Sequence, residues 1–209
     1  MKPELNEAEV RVLGALIEKE ITTPDYYPLS LNALTNACNQ SSNRNPVVQF
    51  DEDTVARSVD SLREKKMAHV VQRSDSRILK YRHVIAEATV LEAPQIAVMC
   101  ILMLRGPQTV GEIRTRCNRL HDFNSLDDVE ATLTSLIARE PEPLVVRLPR
   151  RTGQKEVRYA HLFSGAVSFH APEADDNDRI GKLEENIAEL RSELHDLQKQ
   201  FNDFRKQLE

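Results

Sequence analysis

The sequence predicts an α+β fold, mostly α, built from two tandem units of three helices and a β-hairpin and followed by a C-terminal coiled-coil helix. Three observations predict it. The apolar period switches from helical to alternating twice, in the same element order. Direct residue matches recur at nearly constant offsets. An unbroken heptad closes the chain.

In the first unit, residues 1–93, Asn6-Glu7-Ala8-Glu9 reads as an N-cap with Glu at its third position, opening a helix with Val10, Leu13, Leu16 and Ile17 on one face. Leu31, Leu34 and Cys38 mark a short second helix. The acidic Asp51-Glu52-Asp53 starts a third, with Val55, Val59 and Leu62 facing inward. Alternation then takes over in residues 68–73 and 78–84, around Ser74-Asp75-Ser76, as a hairpin does. In the second unit, residues 94–163, Pro94 opens a helix carrying Ile96, Val98, Met99, Leu102 and Met103. Thr109 to Glu112 is a capping box, and Ser125 caps a helix with Val129, Leu133, Leu136 and Ile137. A hairpin over residues 144–148 and 157–162 follows.

Leu34, Cys38 and Asn39 match Ile113, Cys117 and Asn118 at an offset of 79; Asp53, Val55, Val59 and Leu62 match Asp127, Val129, Leu133 and Leu136 at 74; Tyr81 and His83 match Tyr159 and His161 at 78. The first helices match at 86. Falling offsets place the extra length of the first unit within residues 21–46, on both sides of its second helix. Three helices and a hairpin is the order of a winged helix, in which the hairpin is the wing. The alternative is a pair of α+β modules with no nucleic-acid role, because fold does not dictate function.

Residues 164–178 lose periodicity and read as a linker. From 179 to 209, Ile180, Leu183, Ile187, Leu190, Leu194, Leu197, Phe201, Phe204 and Leu208 keep the three-four spacing of a coiled-coil seam, which predicts a homodimer. A lone helix folded back on the body or an antiparallel pair is the alternative. The net charge of −5 is concentrated here, with 6 Lys/Arg against 11 Asp/Glu in residues 164–209. The body is near neutral, which neither supports nor excludes nucleic acid.

No apolar run reaches the roughly 20 residues of a membrane span, and no signal core follows Met1. Three scattered cysteines suit a reducing compartment, so the expectation is a cytoplasmic protein. There is no P-loop, dinucleotide fingerprint, HExxH or CxxC, and the six histidines never cluster. His83 and His161 sit at equivalent strand ends, as structural residues would. No enzyme activity, cofactor or metal is expected.

For double-stranded DNA the third helices are poor readers. Residues 51–66 hold five acids and four bases; residues 125–140 hold four acids and only Arg139. The hairpins are better supplied, so the candidate DNA contacts are Arg57 and Lys65 on the first third helix, Arg73, Arg77 and Lys80 on the first hairpin, and Arg147, Arg150, Arg151 and Lys155 on the second. Basic hairpin edges also discourage strand aggregation, which is the competing explanation. Tyr26 and Tyr27, held between Pro24 and Pro28, and Arg44 in the polar loop before Pro46 are candidate contacts for an unknown protein partner; the competing role is to cover the unit's own core or its junction with the second unit.

The stretch LGALIEKEITTPDYYPLSLNALTNACNQSSNRNPV, Leu13 to Val48, resembles the YceH-like family of uncharacterised bacterial proteins, and the second unit and heptad tail extend the resemblance over most of the chain. It implies tandem winged helices and a bacterial cytoplasmic protein, and it assigns no catalytic residue. The function expected is a dimeric, regulator-type DNA-binding protein. The alternative is a protein–protein adaptor that uses these surfaces and the 21–46 insert.

Overall fold

Two helices with apolar residues on nearly every face have to lie at the centre of a fold. In the computed structural model, which describes residues 3–72, 78–150 and 156–165, they do. Helix α1 (Glu7–Thr22) buries Val10 and Val12–Ile17, and α5 (Ala93–Arg105) buries Ala97–Leu104. They meet closely: the Cys100 thiol lies 3.5 Å from the Gly14 carbonyl oxygen. These two residues are themselves 86 apart, the offset at which the first helices match, so α1 and α5 meet at equivalent positions.

Around this pair the chain is α+β, with helix over roughly half of the described residues and two small antiparallel sheets. The order is β1 (Leu29–Ser30), α2 (Leu31–Cys38), α3 (Glu52–Glu64), β2 (Ala68–Val71), β3 (Lys80–His83) and α4 (Ile85–Thr89), then, after α5, α6 (Val110–Cys117), α7 (Leu126–Ile137), β4 (Val145–Arg147) and β5 (Tyr159–His161). One hydrophobic core runs through both copies, from Leu13, Leu34 and Val59 to Met99, Ile113 and Leu133. Each such fully buried aliphatic side chain is worth about 1.5–3 kcal/mol.

The duplication extends to individual hydrogen bonds. Asn6 and Glu92 close capping boxes on α1 and α5. Ser30 and Thr109 cap α2 and α6, and Asp51 and Ser125 cap α3 and α7. Ala68 pairs with His83 and Val70 with Tyr81; Val145 pairs with His161 and Arg147 with Tyr159. After α3 the Met67 amide donates to the Leu62 carbonyl at 2.8 Å, and after α7 Leu144 donates to Leu136 at 3.0 Å. Gly106, at φ +68°, ends α5 in the left-handed region that glycine enters without strain.

Two elements were not expected from the sequence. Strand β1 adds to β3 through Leu29–Tyr81 and Ser30–Lys80, and the single bridge Gln108–Tyr159 is its counterpart in the second copy. Two residues are too few for a period to show. Helix α4 is one turn leading to Val90 at φ +50°, again too short to carry a pattern. Residues 166–178 of the linker, the predicted coiled coil with all eight of its seam candidates from Ile180 to Phe204, and both hairpin tips lie outside the described residues.

Candidate functional site

The insert is tied to the first unit by two buried arginines. Helix α2 ends with unpaired carbonyls and the partial negative charge of a helix C-terminus. Arg11, from α1, donates to the Cys38 carbonyl at 3.3 Å and to Pro46 at 2.6 Å. Arg44 donates to the Ala37 carbonyl through Nε (3.2 Å) and Nη2 (2.7 Å), and grips the Glu18 carboxylate at 3.2 and 2.7 Å. Asn39 closes the loop by pairing with both the amide and the carbonyl of Phe50, each at 2.8 Å.

Arg44, a partner-contact candidate by sequence, therefore has its side chain fully buried and its charge spent inside the fold. Position 11 becomes Ala97 in the second copy, where the shorter loop after α6 is held instead by Arg114 on the Phe123 and Asn124 carbonyls. The loop also reaches the other copy: the Asn45 amide donates to the Leu104 carbonyl at the end of α5, and Arg105 donates to the Asn43 side chain. Between them lies a polar cleft of about 280 Å³ lined by Lys19, Gln40, Asn43, Arg116 and Arg119 among others.

Tyr26 and Tyr27 part company. Pro24–Tyr26 is a single 3-10 turn, and it leaves Tyr26 77% exposed. Tyr27 turns inward, its hydroxyl accepting the His83 amide at 2.7 Å. His83 Nε2 in turn lies 2.7 Å from Glu20. Burial raises the Tyr27 phenol far above its ordinary value, so it acts as a neutral hydrogen-bonding group. Tyr27→Phe is expected to cost about 1–3 kcal/mol, because it orphans a buried amide; a urea midpoint unchanged from that of the parent protein would contradict this.

Of the nine candidate DNA contacts, Arg73, Arg77, Arg151 and Lys155 lie outside the described residues. Lys65 is engaged internally, with its Nζ 2.7 Å from each Glu9 carboxylate oxygen. Lys80 is half-buried in β3. Arg57, Arg147 and Arg150 are exposed, Arg57 near the Thr54 hydroxyl at 3.4 Å. Other hairpin and α6 cations also have partners: Arg82 pairs with Glu87, Arg158 with Glu112, and Arg114 donates to Phe123 and Asn124 carbonyls. Charge counted along the sequence missed the acid or carbonyl placed within reach of Lys65, Arg82, Arg114 and Arg158.

These pairs depress four carboxyls. Burial by itself would raise Glu9, Glu18 and Glu112, but the Lys65, Arg44 and Thr109–Arg158 contacts outweigh it; Glu20 is lowered chiefly by His83. A carboxyl depressed in the folded state contributes stability that is complete above its unfolded value of about 4.3 and is lost as the pH falls below that. Urea midpoints are therefore expected to hold steady from pH 7 to 5 and to fall steadily between about pH 4.3 and 3; a flat profile through pH 3 would contradict the assignment. The thiols are inert by the same physics: burial pushes Cys38 and Cys117 up to about 12 and Cys100 well above its ordinary value.

Among the described residues, no three His, Cys, Asp or Glu side chains are grouped to hold a metal ion, and no helix is long and apolar enough to cross a membrane. The family model described as "Protein of unknown function, DUF480" matches residues 5–154. A UPF0502 protein from Opitutus terrae is 54% identical over 193 residues, covering 90% of this chain and 84% of its own length. One from Pelobacter propionicus is 53% identical over 199 residues, covering 90% of each. The chain belongs to the DUF480, or UPF0502, family of bacterial proteins, the same family as the YceH-like one its insert resembles.

Proposed function

We propose that this protein is a non-enzymatic, double-stranded-DNA-binding protein of the bacterial cytoplasm, a tandem winged helix that holds the phosphate backbone with its hairpins and dimerises through residues 179–209. The observation that carries the reading is the repeated order of three capped helices and a hairpin, with Arg147 and Arg150 exposed where the second hairpin leaves its stem. Sequence readout would fall to α3, where Arg57 is exposed. Helix α7 carries Asp127, Asp128 and Glu130 and no base, and its first turn would be repelled by a groove.

Fluorescent duplex titrated across a salt series tests this. The logarithm of the binding constant is expected to fall linearly with that of salt, by about 0.9 per phosphate contacted, and Arg147→Ala with Arg150→Ala to lower that slope. Micromolar or weaker binding, no tighter for genomic fragments than for random sequence, would end the regulatory reading. Truncation after Asp178 is expected to halve the mass seen by light scattering.

A second reading, a protein–protein adaptor, is favoured by Tyr26, a large aromatic displayed on a short, proline-framed turn. Under it, Tyr26→Ala loses a captured partner while leaving stability unchanged; DNA captured with no protein partner would count against it.

A further inference from the structure

We infer that the cleft between the α3–β2 and α7–β4 turns is a binding site for a small organic anion with an apolar body. The cleft is about 550 Å³, within the range of small-molecule sites. It lies between equivalent parts of the two copies. Met67 and Leu144 both line it, as do Lys65 and Arg139. The first two are matched by their hydrogen bonds to Leu62 and Leu136, the second two by the 74-residue offset of their helices.

Its chemistry is two-sided. Met67, Val84 and Leu144 are buried and supply an apolar floor. Lys65, Lys66 and Arg139 supply three basic side chains, of which Lys65 is already shared with Glu9 at 2.7 Å, and the lining also carries His69 and two carboxylates, Glu87 and Glu142. Glu87 is bound to Arg82, at 3.0 Å, which takes part of its charge out of the balance. An ammonium has three N–H donors, and the Glu9 carboxylate occupies at most two of those on Lys65. Arg139 gives one N–H to the Thr89 carbonyl, out of five. Lys66, which also lines the cleft, is exposed at φ +58°, a left-handed turn position. The donors left over suit a carboxylate, sulfonate or phosphate, and the floor suits an aromatic or aliphatic body. An occupant would touch the turn leading into each hairpin, yet the inference stands apart from DNA binding, since neither depends on the other.

The test uses 8-anilinonaphthalene-1-sulfonate, an aromatic anion that fluoresces on leaving water, and N-phenyl-1-naphthylamine, its uncharged counterpart, with the full chain. Saturable binding at one site per chain is expected, weakened roughly tenfold by Lys66→Glu and less by Lys66→Gln. Arg119→Glu, a charge reversal at the other cleft, is expected to change it less than twofold, and the neutral dye to be indifferent to all three variants. Circular dichroism checks that the variants fold, which an exposed turn residue should allow. Non-saturable binding, an unaffected Lys66→Glu protein, a larger effect from Arg119→Glu, or equal affinity for the neutral dye would each overturn the inference.

Discussion

Replacing Arg44 with alanine is expected to lower the unfolding free energy by about 3–5 kcal/mol, the cost of leaving one member of a buried ion pair without its partner. The Glu18 carboxylate, its side chain only 10% exposed, would keep Lys19 at 3.3 Å but lose both guanidinium contacts, and the Ala37 carbonyl would lose its cap. A surface pair sets the contrast. Arg63–Asp60, at 46% and 61% exposure, should cost no more than about 0.5 kcal/mol when Arg63→Ala removes it. The double variant Arg44→Leu with Glu18→Leu should recover much of the loss, because apolar replacements avoid the desolvation of two charges. Recovery should stay partial, since the Ala37 carbonyl remains without its donor. Urea unfolding of the four proteins decides it; an Arg44→Ala loss below about 1 kcal/mol would mean that the loop is not held by this residue.

Gly14→Leu is expected to destabilise by about 3 kcal/mol, through the contact between α1 and α5. A Cβ at position 14 would stand 2.9 and 3.0 Å from Leu104 Cδ2 and Cγ and 3.3 Å from Met103 Cβ. Two effects oppose each other there. Removing glycine from a helix interior gains about 1 kcal/mol of propensity, and against it a single methyl meets Leu104 Cδ2 and Cγ, which that side chain can relieve by shifting, and Met103 Cβ, which has to give slightly. Gly14→Ala should therefore change stability little. Leucine adds three more carbons, for which the close crossing has no space, and strain overtakes propensity. Because one core runs through both copies, the loss should appear as a shift of a single unfolding transition. A Gly14→Leu protein as stable as the parent would show that the helices do not meet this closely in solution.

Most of the secondary structure was legible because its signals are local. The caps Asn6, Thr109, Ser125 and the acidic start at Asp51 each sit within three residues of the amide they satisfy, so a one-dimensional pattern contains them. The internal offsets were legible for a related reason: equivalent positions face equivalent surroundings and keep their residue class, as Cys38 and Cys117 do, both fully buried. The candidate site was read less well. Lys65 finds Glu9 from 56 residues away, and Arg44 finds Glu18 from 26. An exposed arginine and a buried one look alike in sequence when the loop around them is equally polar, as in residues 40–45.

By itself the sequence determined the α+β class, the doubled order of helices and hairpin, the family, and most of the apolar residues that face inward, though not that Ile137 is exposed or that α1 also buries Glu9, Arg11 and Glu18. The family follows from the long stretch Leu13 to Val48, and the rest from periods and caps that operate within a few residues. Only the tertiary structure decided that α1 and α5 meet at Gly14 and Cys100, that the insert is clamped by Arg11 and Arg44 and crosses to the second copy, and which cations are spent. The reason is physical. Charge neutralisation and close packing depend on distances in space between residues far apart in the chain, and a buried polar group must find its partner wherever the fold places it.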